Sequence, residues 1–222
     1  MQVVNGLTER DLEILKFINF FGKSYMEVLT KCFFPNANST QVCRNRLNVL
    51  KNKYKLLKYV ETGAMSPRHY IALSEMGKRF LEDEEAETIN NTYFSFATMQ
   101  HNMYEQLVAF ALTKAGKKVE RTKVLDWSKT HHHTPDLIYY NDDKLVYVEI
   151  ELSKKTRESY DTIFQKFVKD GVNNVIYITK NEKWKNIFLE FLPKWDGLRV
   201  AEIEEFFSSC VDNGKVKGDK QK

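Results

Sequence analysis

Cysteine is scarce in this chain: Cys32, Cys43 and Cys210 are the three among 222 residues, odd in number and far apart. That excludes a disulfide framework and a CxxC metal knuckle, and the expectation is reduced thiols in a cytoplasm. Long apolar runs are missing too. Lys, Asp, Glu or Asn interrupts every candidate before the ~20 residues needed to cross a bilayer, so no membrane span is expected. The opening stretch, MQVVNGLTERD, lacks a charged head followed by an apolar segment, which argues against secretion. Hydrophobic residues at 42% and charged residues at 29% are ordinary globular proportions and exclude collagenous and disordered classes. The length suits two domains of roughly 100 residues each.

The most informative absence is of acid. Between Glu27 and Glu61 there is no Asp or Glu, while Lys31, Arg44, Arg46, Lys51, Lys53, Lys55 and Lys58 supply seven positive charges. The net charge is only +4, so the asymmetry is local. A charge run is commonly a solvated face, yet a window without one carboxylate is what a polyanion partner requires. The sign reverses at Glu82-Asp83-Glu84-Glu85-Ala86-Glu87. With Asn90-Asn91-Thr92, that segment marks the expected boundary between an N-terminal domain, 1–88, and a C-terminal domain, 89–212. A basic tail, 213–222, is expected to be disordered.

In the first domain, Thr8 and Asp11 have capping-box spacing and open a helix with Ile14, Leu15, Ile18 and Phe21 on one face, ended by Gly22. Ser24 opens a short helix through Cys32, and Pro35-Asn36-Ala37-Asn38 is a turn. A third helix is expected from about Ser39 to Tyr54, burying Cys43, Leu47, Leu50 and Tyr54. Its opposite face carries Gln41, Arg44, Asn45, Asn48 and Asn52, flanked by Lys51. Gln, Arg and Asn are the side chains that hydrogen-bond base edges bidentately in a major groove. Two strands follow, Leu56 to Glu61 and His69 to Leu73, joined by a turn holding Arg68, and a helix begins near Ser74. Three helices and a hairpin are the order of a winged helix-turn-helix domain with Arg68 at the wing tip. A protein-interaction module of the same shape is the alternative; the polar helix face and the acid-free window favour DNA.

The second domain reads as a helix (Asn102 to Ala115), strands at Lys118 to Val124, Leu137 to Tyr140 and Leu145 to Leu152, a helix (Thr156 to Asp170), and a strand (Val175 to Thr179). A helix (Trp184 to Phe191) and a strand (Leu198 to Ile203) complete it, giving a mixed sheet covered by helices. Along Leu145 to Leu152, period two puts Val146, Val148, Ile150 and Leu152 on a core face and Glu149 with Glu151 on the other. Adjacent carboxylates repel unless a cation lies between them. Asp136, in Thr134-Pro135-Asp136, starts the neighbouring strand, where no structural need for an acid is expected, so three carboxylates are expected to converge on a hard divalent ion, Mg²⁺ or Mn²⁺. Lys154 and Lys155 lie just beyond, suited to a phosphate or a developing negative charge. The alternative is an exposed strand face with surface glutamates. His101, Glu105, His133 and Tyr160 are accessory candidates; a zinc site is disfavoured because the nearby ligands are oxygens rather than thiolates.

Pro135-Asp136, Glu149-Ile150-Glu151 and Lys154-Lys155 together resemble the PD-(D/E)xK nuclease superfamily, whose core is a helix, three strands, a helix and a strand. A winged helix followed by His133-Thr134-Pro135-Asp136 and a Glu-x-Glu-Leu-Ser/Thr-x-Lys stretch resembles, more narrowly, the MobC-type mobilisation relaxases of plasmids and the related replication-relaxation proteins. The motif likeness lies between about His131 and Tyr160. The resemblance implies an α+β protein, a winged helix-turn-helix plus a restriction-endonuclease-like domain. It implies cleavage of double-stranded DNA at a plasmid transfer or replication origin, alongside other mobilisation proteins. Asp136 and Glu149 would be metal ligands. Glu151 stands where the superfamily has its lysine, leaving Lys154 or Lys155 to replace it. A water nucleophile is preferred to a tyrosine, since His131-His132-His133 is not the His-hydrophobic-His motif of the large relaxase class. The rival reading is a DNA-binding accessory or regulator that retains a nuclease-like domain without catalysis.

Overall fold

The computed structural model describes residues 6–35, 38–83, 95, 97–122 and 127–218, with the side chains of 83, 128 and 212–218 left out. Thr8 caps α1 (Glu9–Phe21) as its spacing predicts: Asp11 N–H donates to Thr8 Oγ1 at 3.3 Å, and Thr8 N–H donates to the Asp11 carboxylate at 2.6 Å. Gly22 closes the helix at φ 75°, a left-handed conformation that glycine adopts at little cost. Ser24 does not begin a helix. It exchanges two backbone hydrogen bonds of 2.8 Å with Ile71, which hold it extended, and α2 (Met26–Phe33) starts after it.

On α3 (Ser39–Asn52), Cys43, Leu47 and Leu50 are fully buried; Tyr54 lies past the helix end and is half-buried. The hairpin of β1 (Leu57–Glu61) and β2 (His69–Leu73) is antiparallel, with Leu57 opposite Leu73 and Glu61 opposite His69. In α4 (Glu75–Asp83), Gly77 lies so close to Leu56 that a Cβ would run into the Leu56 carbonyl.

The chain divides into two compact units between Gln106 and Leu107, inside α5 (Met99–Lys114), and not at 88/89. The first turns of α5 belong to unit 1 because the Gln106 amide is used there. It accepts from Ser24 Oγ at 2.7 Å and donates to the Lys23 carbonyl at 3.1 Å. Of the expected acidic boundary segment, residues 84–94 lie outside the described residues.

Unit 2 is built on a five-stranded sheet in the order β3 (Val119–Glu120), β4 (Leu137–Asn141), β5 (Lys144–Glu151), β6 (Val175–Thr179) and β7 (Leu198–Glu202). β3, β4 and β5 pair antiparallel, while β5, β6 and β7 pair parallel, so the sheet is mixed. Asp142 and Asp143 turn the β4–β5 hairpin with positive φ at both positions. The parallel crossovers are α6 (Arg157–Lys169) and α7 (Glu182–Phe191). The third strand is shorter than the sequence suggests, two residues in place of Lys118 to Val124; residues 123–126 lie outside the described set.

Both faces of β5 are buried, which corrects the expectation of one core face. Ile138, Tyr147 and Tyr177 pack with Tyr160, Phe164 and Phe167 of α6 and Phe188 of α7. On the other face Val146, Val148, Ile150, Ile176 and Ile178 are buried. There α8 (Ile203–Gly218) packs on β6 and β7, and Phe207 stacks on Phe110 at 6.1 Å. A strand flanked by neighbours on both edges, in a sheet with helices on both sides, has no solvated face. Sequence reasoning missed α8: residues 203–218, of which Ile203 reads as a strand end and 213–218 as part of the tail, form a helix anchored by buried Ile203 and Phe207 one turn apart. The protein is therefore α+β with a mixed five-stranded sheet. Among the described residues no helix is long and apolar enough to cross a membrane, and the cysteines are free thiols.

Candidate functional site

The strand period places the acids as the sequence predicts. Leu137 pairs with Val148, so Asp136 lies one step on, opposite Glu149, and Asp136 N–H donates to the Val148 carbonyl at 3.2 Å. Direct partners share a face, so Asp136, Glu149 and Glu151 stand together over the aromatic cluster of α6 and α7. What each carboxylate does there differs from expectation. Asp136 Oδ2 accepts from Ile150 N–H at 2.9 Å, which continues the β4–β5 ladder by one side-chain bond. An acid at 136 thus has a structural task.

Glu149 is turned to His133, Oε1 to Nε2 at 2.7 Å. Burial pushes its carboxyl up to about 7; the His133 bond opposes that rise and the Asp136 charge adds to it. Glu151, 4% exposed, is ion-paired with Lys155 Nζ. Its carboxyl is also raised by burial, against the pull of Lys155. The Tyr177 hydroxyl, on the strand partner of Glu149, is buried in this acidic field with no hydrogen-bond partner among the described residues. Burial and the three carboxylates hold its phenol far above the ordinary range.

The basic residues do not act alike. Lys155 covers Glu151, whereas Lys154 Nζ sits 3.4 Å from the centre of the Phe191 ring. Tyr160 is fully buried; its hydroxyl accepts from Lys155 N–H at 3.2 Å, and burial pushes its phenol up to about 12. Tyr160 orients the lysine loop and is not presented as a nucleophile.

The histidine run is anchored by Asp170, the C-cap of α6, which the sequence reading did not single out. Its side chain, 1% exposed, accepts from His132 N–H at 2.8 Å and His133 N–H at 3.0 Å, and it contacts the His132 ring at 2.7 Å. Burial alone would raise the Asp170 carboxyl, but these bonds hold it below the usual range. His131 stacks on Trp127 with centroids 3.9 Å apart. Of the accessory candidates, His133 joins the acids, while His101 and Glu105 fall in unit 1.

The expected Mg²⁺ or Mn²⁺ needs several oxygens turned to one point. Among the described residues, no group of three His, Cys, Asp or Glu side chains could hold a metal ion. The three acids share a face but not a ligand shell, because a backbone N–H, an imidazole and an ammonium each engage one of them. As placed, the residues do not fit the metal.

In unit 1 the polar face of α3 is where the sequence puts it. Gln41, Arg44 and Asn45 are exposed and linked: Gln41 Nε2 donates to Asn45 Oδ1 at 2.7 Å and Arg44 Nη1 to Gln41 Oε1 at 3.5 Å. Asn48 and Lys51 are half-buried against β1, where Tyr59 OH donates to Asn48 at 3.4 Å and Lys51 Nζ lies 4.4 Å from the Tyr59 ring centre. Tyr59, missed in the sequence, ties helix and hairpin into one surface. Arg68 is exposed at the hairpin turn, which Thr62 braces by accepting from Ala64 N–H and donating to the Pro67 carbonyl. One cation of the acid-free window is lost to this surface: Arg46 forks onto the buried carboxylate of Asp11, with Nε to Oδ1 at 2.7 Å. No protein-family model matches the chain, and no curated protein matches it.

Proposed function

We propose that this is a DNA-binding protein in which α3 enters the major groove of a duplex, the β1–β2 hairpin lies against the adjoining backbone, and unit 2 is a nuclease-like module. Helix order, hairpin and the Ser24–Ile71 bridge support reading unit 1 as a winged helix-turn-helix. One observation carries the reading: α3 exposes Gln41, Arg44 and Asn45 on a face free of carboxylates. Those side chains match base edges, and Lys51 on the same helix and Arg68 at the exposed hairpin turn match phosphates. The test is fluorescence anisotropy with a pool of duplexes at increasing salt. Affinity that falls steeply with salt supports the proposal, and affinity that is absent or indifferent to salt overturns it.

A second reading, metal-dependent nicking of the kind implied by the resemblance to plasmid mobilisation relaxases, is favoured by one feature. Asp136 stands opposite Glu149, and burial together with the Asp136 charge raises the glutamate, as in a carboxylate pair awaiting a cation. Binding Mg²⁺ or Mn²⁺ would require Glu149 to leave His133 and Glu151 to leave Lys155. Supercoiled plasmid with Mg²⁺, Mn²⁺ or chelator decides it: nicking lost in Asp136→Ala, with DNA affinity kept, would establish cleavage. No nicking by the wild type would leave DNA binding alone.

A further inference from the structure

The opposite end of the unit 2 sheet holds a cavity of about 50 Å³ lined by Tyr139, Asn141, Lys144, Val146, Asn174, Val175, Ile176, Gly197 and Arg199. Its place follows from the register. Tyr139 pairs with Val146 and Ile176 with Arg199, on the face that α8 covers and at the start of β5. The acids stand at the end of β5 and on the other face.

The lining is one-sided in its chemistry. Its two charged residues are both cations, and none of its side chains is a carboxylate. Among the described residues, neither Lys144 nor Arg199 makes an ion pair. Asn141 Oδ1 is taken by Lys117 Nζ, which leaves its amide N–H groups as donors. Gly197 is pressed against the Asn173 carbonyl so closely that no side chain fits, which keeps the wall open at backbone level. Val146 and Ile176, which share this face, form a buried apolar floor that lowers the local dielectric under the two cations. Asp142, Asp143 and Asp196 are neighbours in sequence but do not line the cavity.

Two unpaired cations and two amides with no competing carboxylate are the donor set of an oxyanion site, and the volume admits a tetrahedral group but no nucleobase. We propose that this cavity binds a phosphate group, with Arg199 as the forked donor and Lys144 as the point charge. The group comes either from free phosphate or from a nucleic-acid backbone.

The test uses the full chain. Inorganic phosphate is titrated against chloride at matched ionic strength and followed by amide chemical shifts. The expected result is a saturable response at Asn141, Asn174 and Gly197, weakened about tenfold in Arg199→Gln and in Lys144→Gln, both exposed positions. No response in the wild type, or a response that both variants keep, overturns the site. A short duplex distinguishes the sources. If Arg199→Gln lowers the salt dependence of duplex binding by about one charge, the phosphate is the backbone's. If it leaves duplex binding unchanged while phosphate binding is lost, the ligand is free phosphate. The phosphate titration does not depend on α3, so the cavity stands or falls separately from DNA recognition.

Discussion

Glu149 Oε1 lies 2.7 Å from His133 Nε2, and Asp136 stands opposite the same glutamate across the strand pair. The glutamate is raised to about 7 by burial and by Asp136, and His133 and Lys155 only partly offset this. A carboxyl raised on folding holds its proton more tightly in the folded chain than in the unfolded one. Its contribution is complete below its unfolded value and is lost as pH rises towards about 7. Glu149→Gln, which keeps the shape and removes the charge, should therefore gain on the wild type as pH rises from about 5 to about 8. The relative gain should be on the order of 1 kcal/mol or more. Urea unfolding across that range checks it; parallel curves for the two proteins would refute the assignment.

The Asp11–Arg46 pair behaves in the opposite sense. Burial works to raise Asp11, but the Arg46 fork and the Thr8 bonds prevail and lower it. A lowered carboxylate stabilises the fold at neutral pH, and that stabilisation drains away as pH falls through its folded value. Arg46→Met leaves Asp11 buried without its cation and should cost about 3 kcal/mol or more at neutral pH, while the double change Asp11→Leu with Arg46→Met should recover much of it. Chemical denaturation of the three variants measures this.

On the proposed duplex interface, base-edge and phosphate contacts should separate in binding experiments. Arg44→Ala is expected to cost about 1–3 kcal/mol on a preferred duplex and to flatten the difference between preferred and random sequences. Arg68→Gln, exposed at the hairpin turn, is expected to weaken all duplexes alike and reduce the salt slope by about one. Anisotropy titrations against both kinds of DNA, at several salt concentrations, distinguish these outcomes.

Gly77→Ala tests the close approach of α4 to Leu56. Helix propensity alone favours alanine there by about 1 kcal/mol. The Leu56 carbonyl stands where the new Cβ would go, so the change is expected to destabilise by about 1–3 kcal/mol. A thermal midpoint equal to or above that of the wild type would refute the packing.

Local signals were legible and distant partners were not. Period two and turn residues locate β2 at His69–Leu73 and β6 at Val175–Thr179 to the residue, and the capping spacing of Thr8 and Asp11 starts α1 where it begins. The same alternation puts Glu149 and Glu151 on one face, but it does not reveal that Tyr147 and Tyr177 make that face a core. Nor does it show that His133 and Lys155 engage the glutamates, since such pairings depend on loop paths and rotamers. Asp170 is farther still from legibility: it lies 38 residues beyond His132, at the end of a helix whose pattern names no partner for its last residue. Arg46 reads as one more positive charge of the acid-free window because its partner, Asp11, lies 35 residues upstream and outside that window.

Ser24 carries two obligations at once: its backbone is paired with Ile71, and its hydroxyl is received by Gln106. An excised N-terminal fragment that stops at residue 88 would strip away that acceptor and leave a fully buried hydroxyl and the Lys23 carbonyl orphaned beside the hairpin. Autonomy of the N-terminal half is thus a matter of where the gene is cut, and a cut past Gln106 preserves the fastening.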